Sequence, residues 1–278
     1  MEKVLVFDLP GGVGLEMVLI HGGTFQMGSP PGETGRRGDE RQHTVTLTKD
    51  FYLGRYAVTQ EQYQAVTGKN PSTFAHIKRR PVETVSWDDA MAYCGALDAQ
   101  LRGQMDERFP QSGGGMTDGG DAQLRGQMDE RFPRSGRAHF TLPTEAQWEY
   151  ACRAGCDFAL YNGLCLTVAD GVCPNLEPLA WYRYNHKDKG PLDVGGKVPN
   201  PWGLYDMLGN IHEWVLDPYG EYPAGHVTDP LGPAGGYDYT VRGGNWQSSP
   251  WKCRAARRGI DPAHYRLPGT GFRVALVY

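Results

Sequence analysis

The residues that could do chemistry in this 278-residue sequence are its six cysteines, its eight histidines and a few serines, and their spacing points away from most reactions. A serine nucleophile on a sharp strand-to-helix turn needs a Gly-x-Ser-x-Gly phrase. None surrounds Ser86, Ser248 or Ser249, which read as caps or surface residues. No two histidines stand four apart, the spacing that would place both on one helix face for a metal. The cysteines show neither a Cys-x-x-Cys pair nor a Cys/His zinc pattern. Cys94 and Cys152 fall in amphipathic helical stretches and read as small buried hydrophobes, while a pairing of Cys165 with Cys173 across a polar loop stays open.

Composition narrows the classes further. The formal net charge of −4 gives no surplus of cations for neutralising phosphates, so nucleic acid is not expected as a partner. No apolar run approaches bilayer length, and Met1 to Pro10 lacks the basic start and apolar centre of a secretory leader. A chain without membrane insertion, cytoplasmic by default, is therefore expected. The 38 glycines and 20 prolines are spread along the chain, which predicts short elements and much ordered loop.

Those elements can be placed. A helix is expected from about Thr59 to Thr67, ending at Gly68, a second from Ser86 through Cys94, and a third from Pro143 through Cys152. Strands are expected at Glu16 to Ile20, Thr44 to Leu47, Phe51 to Tyr56, Tyr239 to Arg242 and Phe272 to Val277. Pairing of strands from the two ends of the chain would close one domain over residues 1–278. One duplication interrupts it: Asp98 to Gly113 and Asp121 to Gly136 differ only at Gln111 versus Arg134. Two copies are too few for a solenoid, so the insert at about 98–136 is expected to be a partly helical surface excursion.

Six ordered phrases carry a resemblance. They are His21-Gly-Gly-Thr-Phe-Gln-Met-Gly-Ser29, Phe51-Tyr-Leu-Gly-Arg-Tyr-Ala-Val-Thr-Gln60, Pro81-Val-Glu-Thr-Val-Ser-Trp-Asp88, Leu142-Pro-Thr-Glu-Ala-Gln-Trp-Glu-Tyr150, Asn200-Pro-Trp-Gly-Leu-Tyr-Asp-Met-Leu-Gly-Asn-Ile-His-Glu-Trp214 and Val241-Arg-Gly-Gly-Asn-Trp246, with Gly271-Phe-Arg-Val274 after them. In this order the sequence resembles the formylglycine-generating enzyme, or sulfatase-modifying factor, family. The resemblance implies an α+β fold of the C-type-lectin-like kind, loop-rich, with a small mixed sheet and two main helices.

It also implies where that family's chemistry would sit. The oxidases hold copper(I) between two cysteines five apart, and the matching positions here are Ser248 and Cys253. A serine beside one cysteine does not offer paired soft ligands, so no copper and no catalytic residue is expected. The family's calcium loop maps onto Asp206 and Glu213 by side chain and Gly209 and Ile211 by carbonyl, hard oxygen donors that suit Ca²⁺. Six of the seven tryptophans lie in or beside the shared phrases and read as core; Trp251 alone is free to be a contact.

The stretch from Val241 to Tyr278 separates into two sets. Arg242, Gly243, Gly244, Trp246, Cys253, Arg254, Ala255, Arg257, Pro262, Arg266, Gly271, Phe272 and Arg273 keep the family's frame. Between them stand Gln247, Ser248, Ser249, Trp251, Gly259, Ile260, Asp261, Ala263, His264, Tyr265, Leu267, Pro268 and Gly269, a paratope-like mixture of rigid aromatics with small polar groups. This is similar to the variable proteins of diversity-generating retroelements. The expectation is a monomeric, non-catalytic binder of a protein or glycan, with the ligand on a face of Trp251, Ile260, His264, Tyr265 and Leu267. A fixed-specificity binding domain of the same family is the alternative, and a formylglycine-generating oxidase the third reading.

Overall fold

Each helix begins at a hydroxyl residue that exchanges hydrogen bonds with the residue three positions on, satisfying backbone donors that the first turn would leave orphaned. In the computed structural model, which describes residues 2–110, 137–187 and 189–278, helix α1 runs Gln60–Thr67, α2 Trp87–Arg108 and α3 Glu145–Arg153. The capping pairs are Thr59 with Gln62, Ser86 with Asp89, and Thr144 with Gln147. Helix α1 stops at Gly68, whose left-handed φ of 73° lets its N–H turn back to Gln64.

Helix α2 is longer than the sequence suggests. The first copy of the duplicated phrase continues it to Arg108, with Leu101 and Met105 buried. It docks on strand β1 (Val4–Leu9): the Gln104 side chain both donates to the Asp8 carbonyl and accepts from the Asp8 N–H, and Arg108 donates to the Val6 carbonyl. The expected surface excursion is thus corrected for this copy, because its apolar positions fall on the face that covers the sheet. The second copy, with the remainder of the insert, lies outside the described residues.

Strands β2 (Val13–Ile20), β3 (Gly23–Met27), β4 (His43–Leu47) and β5 (Phe51–Gly54) precede the helices; β6 (His139–Thr141), β7 (His212–Pro218) and β8 (Val227–Thr228) follow. The chain then makes β9 (Asp238–Arg242), β10 (Gly259–Pro262), β11 (Thr270–Phe272) and β12 (Ala275–Val277). The largest sheet has the order β1-β2-β5-β12-β6 and is antiparallel throughout; Ala275 pairs with both Leu53 and Thr141, so the two ends of the chain do meet. A second sheet, β10-β9-β7-β11, is mixed, as is the third, β3-β4-β8.

Successive strand residues point to opposite faces, and the sheet uses both. Leu15, Met17 and Tyr52 join the core under α1 and α2, whereas Val18, Ile20, Phe51 and Leu53 join a second core with α3 and the long loops after it. No described helix is long and apolar enough to cross a membrane.

Candidate functional site

The C-terminal segment is held by arginines whose charges are neutralised out of water. Arg273 clasps both oxygens of Glu213 at 2.8 and 2.9 Å and donates to the Gly54 carbonyl; both side chains are buried. Arg242 joins α3 through Glu145 and Glu149, Arg258 clasps Glu145 at 2.7 and 2.8 Å, and Arg254 reaches Glu33 and Glu40. Burial pushes the Glu145 carboxyl up, yet Arg258 and Arg242 outweigh it and hold the group below its ordinary range. Breaking one side of such a pair leaves a desolvated charge, a loss of roughly 3–5 kcal/mol.

Between these anchors the backbone faces inward and the side chains face out. The carbonyls of Ala263, Leu267 and Gly269 accept from Trp87, Thr84 and His212, and the Pro268 carbonyl accepts from the Trp246 indole. Ile260, His264, Tyr265, Leu267 and Pro268 are exposed at the same time. The rings of His264 and Tyr265 meet edge to face at 5.0 Å, and the ring of Tyr237, a residue 69% exposed, stands 5.6 Å from that of His264. Tyr237 is the residue that sequence reasoning missed. It precedes β9, and the pairing of β9 with β10 carries it next to His264. An aromatic directly after Gly235-Gly236, next to a strand, was the available signal.

Other expected contact residues are placed differently. Ser248 is buried, accepting from the Asn245 N–H and donating to the Asn245 side chain. Gly269 is buried against the Asn245 amide, and a Cβ on Gly259 would meet Val241 Cγ2 at 2.5 Å. Asp261 and Ala263 are half-buried, and Gln247 is exposed. Ser249 stands three residues before Lys252, but its hydroxyl donates to Asp170 at 2.6 Å. Trp251 keeps separate company: its Cβ lies against Gly35, and its ring stands within 5.1 to 5.9 Å of the cations of Arg257, Lys252 and Arg37.

The thiol of Cys253 is fully buried against Gly244, and burial pushes it up to about 12. Cys165 is exposed and Cys173 buried, both as free thiols.

Two of the four expected calcium ligands already have protein partners. Glu213 spends both oxygens on Arg273 and a further bond on the Trp148 indole, and the Gly209 carbonyl accepts from Ile211 at 2.7 Å. Asp206 differs. Its Oδ2 accepts from Gly195, its Oδ1 has no partner, and burial pushes the carboxyl up to about 6. Among the described residues no cluster of three or more His, Cys, Asp or Glu suits a metal ion.

Comparison with known proteins adds a lineage. A family model described as the sulfatase-modifying factor enzyme 1-like domain matches residues 13–277. The sequence is 29% identical to Chaperone protein LppX of Paenibacillus barcinonensis, over 93% of this chain and 88% of that one. It is 28% identical to the formylglycine-generating enzyme of Thermomonospora curvata, over 93% and 92%. Of some other curated relatives it spans only 38% of the length. Among solved structures, Treponema denticola variable protein 1 superposes with a TM-score of 0.79 at 30% identity, covering 99% of both chains.

Proposed function

Because the chain belongs to the sulfatase-modifying factor enzyme 1-like domain family, whose relatives are named both for an enzyme and for variability, we propose that it is a non-catalytic ligand-binding protein of the variable kind. One observation carries the reading. Within residues 259–269 the main chain is tied to the frame while Ile260, His264, Tyr265 and Leu267, with Tyr237 beside them, present their side chains outward. Such a surface exchanges its side chains without disturbing the bonds that hold it. Large exposed aromatics and aliphatics gathered on a rigid loop are also what a protein or glycan partner needs for contact area.

The test is sequencing of the coding region from independent clones of the source population. Differences concentrated at Ile260, His264, Tyr265 and Leu267, and absent from Ser248, Gly269 and the buried arginines, are the expected result. An invariant segment would leave a fixed-specificity binder as the better reading. A pull-down with the purified domain, compared with one in which Tyr265 and His264 are both alanine, then isolates the ligand held by this face.

A further inference from the structure

A cavity of about 440 Å³ lies at the end of β2 and β5, built from residues that take no part in the face described above. Its volume is within the range of small-molecule sites, about 300–1,000 Å³. Its lining includes Leu19 and Ile20, at the C-terminal end of β2, and two rings, Tyr150 from α3 and Trp202, whose centroids stand 5.0 Å apart at 66°. The rim is polar. His21 Nδ1 bonds Asp50 Oδ2 at 2.9 Å, the Gly22 N–H donates to Asp50 Oδ1 at 2.9 Å, and Lys3 closes the circle.

Two features show that this wall is built rather than left over. Gly23 has no room for a side chain, because a Cβ there would strike the Tyr150 hydroxyl; the phenol is seated against bare backbone. Yet Tyr150 Oη, Trp202 Nε1 and Lys3 Nζ spend no hydrogen bond on the described residues, although all three border the cavity. A ring wall beside unspent donors and a fixed carboxylate suits a molecule with one apolar face and several hydroxyls. The Asp50 carboxylate, held by the Gly22 N–H and the His21 ring, stands on the same rim as the Lys3 ammonium, so the two charges offset one another and a neutral polyhydroxylated ligand suits the rim.

We infer that this cavity binds a neutral pyranose sugar, stacked by its C–H face on the Trp202 ring, with Tyr150 at its edge and vicinal hydroxyls bonded to Asp50 and His21. The site is independent of the C-terminal face, so either can fail without the other.

The experiment is saturation-transfer NMR on the whole protein with methyl glucoside, galactoside and mannoside at millimolar concentration, with indole-3-acetate and adenosine as counter-probes. The expected result is transfer to the ring protons of at least one glycoside. That transfer should be weakened about tenfold in affinity by Trp202→Ala, the scale of a lost aromatic contact, and several-fold by His21→Ala. His21 has a side chain 76% exposed, so its loss does not threaten folding. Tyr265→Ala leaves the transfer unchanged. Absence of transfer from every glycoside, transfer that survives both cavity variants, or stronger binding of either counter-probe overturns the proposal.

Discussion

The buried arginines and the exposed residues of the C-terminal segment alternate along one short stretch, yet they are opposites in what they tolerate. Arg242, Arg254, Arg258 and Arg273 are surrounded by carboxylates and carbonyls with almost no contact with water. Ile260, His264, Tyr265 and Leu267 are exposed, while the main chain beside them is tied to the frame through β9 and through the carbonyls of Ala263, Leu267 and Gly269. The difference teaches that rigidity and replaceability are not competing properties here. The first set supplies the rigidity that makes the second replaceable, because a loop anchored by its backbone does not depend on its side chains.

The comparison breaks most visibly at Arg273. Replacing it with methionine strands the Glu213 carboxylate in the core, and urea denaturation should record a loss of about 3–5 kcal/mol. Adding Glu213→Gln should recover a large part of it; no recovery would mean that Arg273 acts through packing and not through the pair. Next is Gly269→Ala, where the new Cβ meets the Asn245 amide, with an expected loss of about 1–3 kcal/mol from overpacking. A neutral result there would move Gly269 from the frame to the exchangeable set.

Asp206 should respond in the opposite direction. Its folded carboxyl titrates at about 6, above the ordinary value of 3.8, so ionisation opposes folding; the cost is complete above pH 6 and vanishes below pH 3.8. Asp206→Asn, which tolerates the left-handed φ of 54°, should therefore stabilise by up to about 3 kcal/mol at pH 8 and by nothing at pH 3.5. Thermal melts with calcium and with a chelator sharpen this. If calcium stabilises the parent but not the variant, Asp206 is a cation ligand after all. The smallest effect belongs to the exposed set: Tyr237→Ala and Tyr265→Ala should each change stability by less than about 0.5 kcal/mol while weakening ligand capture.

Much of the fold was legible because its signals are local. Thr59, Ser86 and Thr144 each precede a Gln or Asp by three residues, and all three open helices. The closing of the sheet by Phe51 to Gly54 and Ala275 to Val277 could be read from apolar strand patterns at the two ends. The short strands β6 and β8 could not, since two or three residues carry no period. The expected last strand is in fact β11 and β12, broken at Arg273 where the side chain turns inward to Glu213.

At the site, residue class separated the buried Arg242, Arg254 and Arg273 from exposed Ile260 and His264, but it overlooked buried Arg258, counted the exposed Arg266 as frame and misjudged other positions fixed by neighbours distant in sequence. Ser248 looks like a polar contact until Asn245 is seen to use its hydroxyl, and Tyr237 gains its place only through the pairing of β9 with β10. Glu213 shows the same limit. As a carboxylate in a Gly-Asn loop it suits a cation, and its bond to Arg273, 60 residues away, is not legible in that loop.

Strand β10, which bears Ile260, is the outermost of its sheet and has Val241 and its neighbours on one flank only. An open flank invites any extended peptide to add itself by main-chain hydrogen bonds, which read no side chains and so discriminate poorly. Pro262, in the same strand, has no N–H to offer such a visitor. Main-chain pairing is thereby discouraged along this edge, which leaves the exposed Ile260 side chain as the part of β10 open to contact.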